Sequence, residues 1–111
     1  MERRDYLLRM IEEMGRITAR IRELLLGGDT VAAATELHAA ARIVGLDVAT
    51  ARALTADSLL LLLRMSPDSD PGRVKLASDL IELDADIAKA EGRTADAQNL
   101  RDKAAQLRNN L

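Results

Sequence analysis

The segment that decides the fold joins two glycines to a capping residue and an alanine-rich run, and it reads Gly27-Gly28-Asp29-Thr30-Val31-Ala32-Ala33-Ala34-Thr35-Glu36-Leu37-His38-Ala39-Ala40-Ala41. Glycine accepts the left-handed conformation that ends a helix, and Asp or Thr caps the start of the next one. The segment therefore predicts a helix end, a tight turn and a second, antiparallel helix. Because small residues occupy two faces of that second helix, we expect it to be sandwiched between neighbours.

The same spacing of glycine, threonine and alanine returns near the other end of the chain. The first copy has Gly28, Thr30, Ala33, Ala40 and Ala41, and the second has Gly92, Thr94, Ala97, Ala104 and Ala105. Each copy follows a long segment of helical apolar periodicity. We therefore predict a helical hairpin at each end, with Thr94 capping the last helix. Between the hairpins, Gly45 predicts another helix end and Asp47 the cap of the helix that follows.

The first predicted helix covers about Arg4 to Leu26, because apolar residues recur there at spacings of three and four. The stripe contains Leu7, Met10, Met14, Ile17, Ile21 and Leu24, widened by Ile11 and Leu25. Burial of this stripe inside the domain is the interpretation we prefer. The same pattern also fits a two-stranded coiled coil.

We expect one all-α domain of five to six helices, in which two hairpins flank a central leucine-rich helix. Its parts are hairpin 4–44, central helices 47–65, loop 66–72 and hairpin 73–110. Five consecutive leucines, Leu59 to Leu63, leave the central helix without a polar face. Either this run is buried all round, or part of it meets a second chain.

The hairpin spacing resembles the second helix of tetratricopeptide repeats. The matching residues are Gly28, Ala33, Leu37 and Ala40 in one copy, and Gly92, Ala97 and Ala104 with Arg101 at the large position in the other. The first helices lack the aromatic and glycine signature of that family, so the resemblance implies tetratricopeptide-like hairpins. The opening segment Arg4 to Glu12 also resembles a small bacterial family of uncharacterised helical proteins, which implies a fold and no activity.

Composition and charge exclude several classes of function. Hydrophobic residues make up 48% and charged residues 31% of the chain, which predicts a folded domain. The net charge is −2 with both signs interspersed, which gives no electrostatic reason to expect a nucleic-acid or membrane partner. The absence of cysteine excludes disulfides and thiolate chemistry. The longest apolar run, Leu59 to Leu63, is far shorter than the roughly 20 residues of a membrane span, so we expect a cytoplasmic protein.

Polar residues suggest no catalytic or metal site. His38 is the only histidine and has no obvious nucleophile to activate. Asp79, Glu82 and Asp86 share a helix face, but the Glu-x-x-His motifs of di-iron proteins are absent, so a solvated face is the simpler interpretation. We predict no enzyme activity and no cofactor.

Residues 41–54 carry an alternative function, because they resemble the helix-turn-helix of DNA-binding regulators. Ala41 would pack the two helices, Gly45 would make the turn, and Thr50 and Arg52 would face the DNA. Few cations lie nearby, although backbone charge supplies most of the affinity for DNA. DNA binding is therefore the second interpretation.

Self-association is the first interpretation. Each end carries one hairpin, whereas stacked helical repeats generally need about three or more units for stability. Leftover apolar surface then favours a homodimer, the commonest symmetric assembly, or another protein or peptide partner. We expect the interaction surface to include residues from the first helix and the leucine helix, namely Tyr6, Arg9, Met10, Leu59 and Leu62.

Overall fold

A computed structural model of the protein describes residues 3–65 and 71–111. Within these residues the chain forms six helices and no strand, which confirms the all-α prediction. The helices are α1 (Arg3–Leu26), α2 (Thr30–Val44), α3 (Val48–Ala53), α4 (Ala56–Met65), α5 (Pro71–Ala90) and α6 (Thr94–Arg108). Most of the predicted loop 66–72 lies outside the described residues, while Pro71 and Gly72 already belong to α5.

Three glycines end their helices in the same way. Gly28, Gly45 and Gly92 have φ values of 77°, 78° and 83°, in the left-handed region that favours glycine. At the first of them, the Gly28 N–H donates to the Leu25 carbonyl at 3.0 Å and the Asp29 N–H donates to the Leu24 carbonyl at 2.9 Å. The other two glycines repeat this pair of bonds, which is the Schellman motif. All three predicted helix stops are confirmed.

Capping residues start the helices after two of these turns. Asp29 accepts a hydrogen bond from the Ala32 N–H at 3.0 Å, and Asp47 accepts one from the Thr50 N–H at 3.0 Å. The predicted Thr94 cap is wrong, because α6 begins at Thr94 and the capping position falls on Arg93, whose side chain makes no capping bond. The residue directly after the glycine takes the cap in both hairpins, and it is Asp in one and Arg in the other.

Helices α1 and α2 pack together as one hairpin, and α5 and α6 pack together as the other. Ion pairs show that the second hairpin is antiparallel, since Arg101 pairs with Asp86 at 3.1 Å whereas Arg108 pairs with the earlier Asp79 at 3.2 Å. Later residues of α6 thus pair with earlier residues of α5, so the two helices run in opposite directions. Both predicted hairpins are present.

Helix α5 is the centre of the molecule. It packs against α6, α2, α1 and α4, and between Val74 and Ala88 only Lys75 is exposed. Helix α2 packs against both α1 and α5, as its small residues predicted, and keeps an exposed outer face. The leucine helix α4 does not separate the hairpins but packs against α5 and α6. The reason is that α5 is twenty residues long and offers small or apolar side chains on several sides, whereas α4 has ten residues and a one-sided buried face.

One hydrophobic cluster includes residues from all six helices. Its largest fully buried side chains include Ile21 in α1, Leu37 in α2, Leu59 in α4 and Leu107 in α6. The domain is thus held together by a core built of leucine, isoleucine and alanine, with α5 passing through it.

Candidate functional site

Three of the predicted site residues meet in one groove along the seam between α1 and α2. Tyr6, Arg9 and Met10 line an open groove of about 440 Å³, and Ile43 of α2 lines it too. Met10 is only 6% exposed, whereas Tyr6 is 52% and Ile43 is 50% exposed. The groove therefore offers two accessible apolar side chains above a methionine that belongs to the core.

Charges of both signs complete this groove. Glu12, Glu13 and Arg16 also line it, and Arg16 donates to Glu13 at 2.7 Å. The hydrogen bond and charge of Glu13 raise the pKa of Arg16 above its ordinary value, so the guanidinium stays charged. Mixed charge around an apolar centre suits recognition of a protein surface better than binding of a highly charged ligand.

The two predicted leucines of α4 have opposite environments. Leu59 is fully buried, so its predicted place on an interaction surface is wrong. Leu62 is 47% exposed and shares the outer face of α4 with Leu61 and Met65, which are 62% and 72% exposed. The run is thus neither buried all round nor exposed as a whole, because a helix turns Leu59, Leu60 and Leu63 inward and the others outward.

A second exposed apolar surface lies on the outer face of α1, and the sequence pattern did not reveal it. Ile11, which the pattern added to the buried stripe, is 45% exposed, and Leu8 is 51% exposed. Ile11 lies one turn from the buried Leu7 and Met14 and so borders the core face, and Leu8 lies farther round the helix. Their spacing of three, continued by Gly15, was the signal that could have identified this face.

The residues proposed to contact DNA make bonds within the chain. Arg52 donates to both carboxylate oxygens of Asp84, at 2.8 and 2.7 Å, and this bond raises the pKa of Arg52 above its ordinary value. Thr50 donates through its hydroxyl to Asp47 at 2.9 Å. A DNA contact through either side chain would have to replace these bonds.

Asp84 is a buried acid that the sequence did not single out. It lies on α5 and its side chain is 5% exposed. Lys103 of α6 lies beside the same pair and donates to the carbonyls of Ala51 and Arg52, at 2.8 and 3.0 Å. Burial lowers the pKa of Lys103, and the charge of Asp84 partly opposes that shift. These bonds tie α3 to α5 and α6, which gives the cluster a structural role.

The predicted acidic face of α5 forms the ion-pair seam with α6. Asp79 accepts from Lys75 and Arg108, Glu82 accepts from Arg108 at 2.9 Å, and Asp86 accepts from Arg101. In the described part of the chain no group of three or more acidic, histidine or cysteine side chains is arranged to hold a metal ion. His38 lies exposed on α2, away from this seam.

No protein-family model, curated protein or solved structure matches the chain. Of the helices described for residues 3–65 and 71–111, none combines the length and apolar character that crossing a membrane would require.

Proposed function

We propose that this protein is an interaction module that associates with a second copy of itself. The observation that carries this proposal is the large apolar side chains left exposed around a well-filled core. They are Tyr6, Leu8, Ile11, Leu26, Val31, Ile43, Leu61, Leu62, Met65 and Leu111, each at least 45% exposed. Exposed apolar groups that cluster, rather than lie scattered, mark surfaces that partners cover.

The polar groups support binding rather than chemistry. The acids of α5 are engaged by cations of α5, α6 or α3, and these bonds hold the helices together. A catalytic group must be free to reach its substrate and must have a partner that orients or activates it. We therefore propose no reaction for the chain.

DNA binding stays the alternative, and the geometry favours it less than self-association. Arg52 would lose two hydrogen bonds to Asp84 on turning to a phosphate, and Asp84 would then be a buried acid without its cation. Anisotropy of a labelled duplex at low salt tests this alternative. Salt-sensitive binding that Arg52→Ala removes would favour it over self-association.

Static light scattering after size exclusion tests the proposed function. The chain has a mass of 12.1 kDa, so a dimer should give about twice that value and fall toward it on dilution. Because Tyr6 is the only aromatic residue, concentration is best measured by refractive index. A monomer mass that persists up to about millimolar concentration, where the weakest specific complexes form, would contradict the proposal.

A further inference from the structure

The outer face of α1 carries an apolar stripe with a glycine within it. We name it the outer stripe and define it as Leu8, Ile11, Gly15 and Ala19, which are all exposed and are spaced three or four residues apart on one side of the helix. The neighbouring face of α1 packs into the core through Leu7, Met10, Met14 and Ile21. The apolar surface of α1 therefore extends beyond the face that the single chain covers.

The fold of a single chain does not require a glycine at position 15. A glycine inside a helix costs about 0.5–1 kcal/mol relative to alanine. Its φ is not in the left-handed region, and a Cβ added to it would have no neighbour within 4 Å. A glycine on an exposed apolar stripe leaves room for the backbone of another helix to approach closely.

A row of alternating charges follows the outer stripe along one side. We name it the charged edge, and it consists of Asp5, Arg9, Glu12 and Arg16, all exposed and again spaced four, three and four apart. In an antiparallel pair of helices related by a two-fold axis, the same edge of both copies lies side by side. The charged edge of one copy therefore faces the charged edge of the other, running in the opposite direction. From Asp5 to Arg16 the charges run negative, positive, negative, positive. In the reverse direction they run positive, negative, positive, negative, so each charge of one copy can face an opposite charge of the other.

This complementarity fixes the register of the pair. When the two-fold axis passes between Met10 and Ile11, Arg9 lies level with the partner's Glu12. Asp5 lies level with the partner's Arg16, which also donates to Glu13 of its own chain. Each ion pair then occurs twice. Ile11 lies next to its own symmetry copy, at the centre of the contact. The paired segment spans about 18 Å at 1.5 Å per residue.

Neighbouring registers set like charges opposite each other. Sliding one helix by about one turn in one direction brings Arg9 level with the partner's Arg9. Sliding it in the other direction brings Glu12 level with the partner's Glu12. Charge repulsion thus disfavours both slipped pairs, in the way that charged edges specify register in coiled coils.

We propose that a second copy of this chain lies antiparallel along the outer stripe of α1, with the two-fold axis beside Ile11 and the two charged edges paired. This inference rests on the proposed self-association and identifies its surface. The exposed face of α4, formed by Leu61, Leu62 and Met65, is flanked by one acid, Asp57, and one cation, Arg64, whereas the charged edge of α1 has four alternating charges. The α4 face is therefore the rival surface in the experiment and not the one we propose.

The first test compares one substitution at the two surfaces. Ile11→Arg places two cations beside the axis, so the mass should fall from that of a dimer to that of a monomer at about 100 μM chain, a concentration that populates micromolar complexes. Leu61→Arg is the matched control, because it makes the same kind of change on an even more exposed side chain of α4, and its mass should stay that of a dimer. If Leu61→Arg dissociates the dimer and Ile11→Arg does not, the proposed surface is wrong although self-association stands. A wild type that stays a monomer up to about millimolar concentration would overturn both proposals.

The second test reverses charges of the charged edge. It does not require the fold to tolerate an arginine at position 11. Arg9→Glu alone and Glu12→Arg alone each set two pairs of like charges across the interface, and we expect the dissociation constant to rise about tenfold or more. The double variant Arg9→Glu/Glu12→Arg restores opposite signs and should return to within about threefold of the wild type. Circular dichroism monitors the helix content of each variant. Loss of the dimer in the double variant, with helix content unchanged, would overturn the antiparallel register.

Discussion

Arg52 of α3 and Asp84 of α5 form a two-point ion pair in which the acid is buried and the cation reaches the surface. The side chain of Asp84 is 5% exposed, and that of Arg52 is 42% exposed. The two bonds, of 2.8 and 2.7 Å, fix a helix of only six residues to the central helix. The pair is therefore asymmetric, because the acid has far less access to water than the cation has.

Removing the cation should cost more stability than removing the acid. Arg52→Ala leaves the buried Asp84 carboxylate without its hydrogen-bonded cation and with only the charge of Lys103 nearby, so we expect a loss of about 2 kcal/mol, discounted from the larger cost of a fully buried pair. Asp84→Ala frees Arg52 to turn into water, so we expect about 1 kcal/mol. Urea unfolding measures both, with Arg93→Ala as the control for an exposed pair. Equal losses for the two variants would contradict the asymmetry.

Neighbouring leucines of α4 should respond oppositely to the same truncation. Leu59→Ala empties part of the core, because Leu59 is 0% exposed, and should cost about 2–5 kcal/mol. Leu61→Ala alters a side chain that is 62% exposed and should change stability by less than about 0.5 kcal/mol. Chemical denaturation of the two variants at equal chain concentration makes the comparison. Similar losses would mean that α4 is rotated relative to the present arrangement.

The turn glycines should differ in their tolerance of alanine. Gly28→Ala and Gly45→Ala both force a left-handed residue, which costs roughly 1–2 kcal/mol. A Cβ at Gly45 would also lie 3.1 Å from Nη2 of Arg73, which donates to the Val44 carbonyl at 2.9 Å, whereas a Cβ at Gly28 meets no atom within 4 Å. We expect the lower melting temperature for Gly45→Ala. The reverse order would show that the Arg73 contact is readily displaced.

Gly15→Ala should stabilise the monomer. In the Ile11→Arg background, where the outer stripe is not paired, the added methyl group enters open space and improves helix propensity by about 0.5–1 kcal/mol. In the wild-type background the same methyl group separates the paired helices and should weaken the dimer. Unfolding measures the first effect and light scattering the second. A gain in stability with an unchanged dimer would leave Gly15 without a role in pairing.

The cap of α3 should depend on pH. Hydrogen bonds from the side chain and the backbone of Thr50 lower the pKa of Asp47 below its ordinary value of 3.8. The ionised acid therefore stabilises the folded state above pH 3.8, and this contribution is lost as the pH falls through the lowered value. We expect the stability difference between wild type and Asp47→Ala to shrink on acidification. Asp47→Asn keeps a capping oxygen and should lack that pH dependence.

Part of the fold and site followed directly from sequence patterns. Glycine stops at Gly28, Gly45 and Gly92 and the caps at Asp29 and Asp47 are all present. Tyr6, Arg9 and Met10, which were predicted with Leu59 and Leu62 to form an interaction surface, line one groove. Each of these predictions depends on interactions between residues that lie within one or two helical turns of each other in the sequence.

Other features could not be read from the periodicity of a single helix. Ile11 and Leu59 carry apolar side chains at helical spacing, yet one is 45% exposed and the other is fully buried. The pairing of Arg52 with Asp84 joins residues far apart in the chain, and no local pattern predicts this contact. Such features depend on which distant helix of the chain packs against each residue.

The sequence by itself determined where helices end and begin, because left-handed glycines and capping oxygens act on the backbone beside them. Only the tertiary structure decided that α5 occupies the centre, that α4 turns two leucines outward, and that α1 keeps a second apolar face. The physical reason is that a side chain is buried only when a surface from another helix packs against it. Several helices here have enough leucine and alanine to serve as the core, and the choice among them comes from how the two hairpins pack.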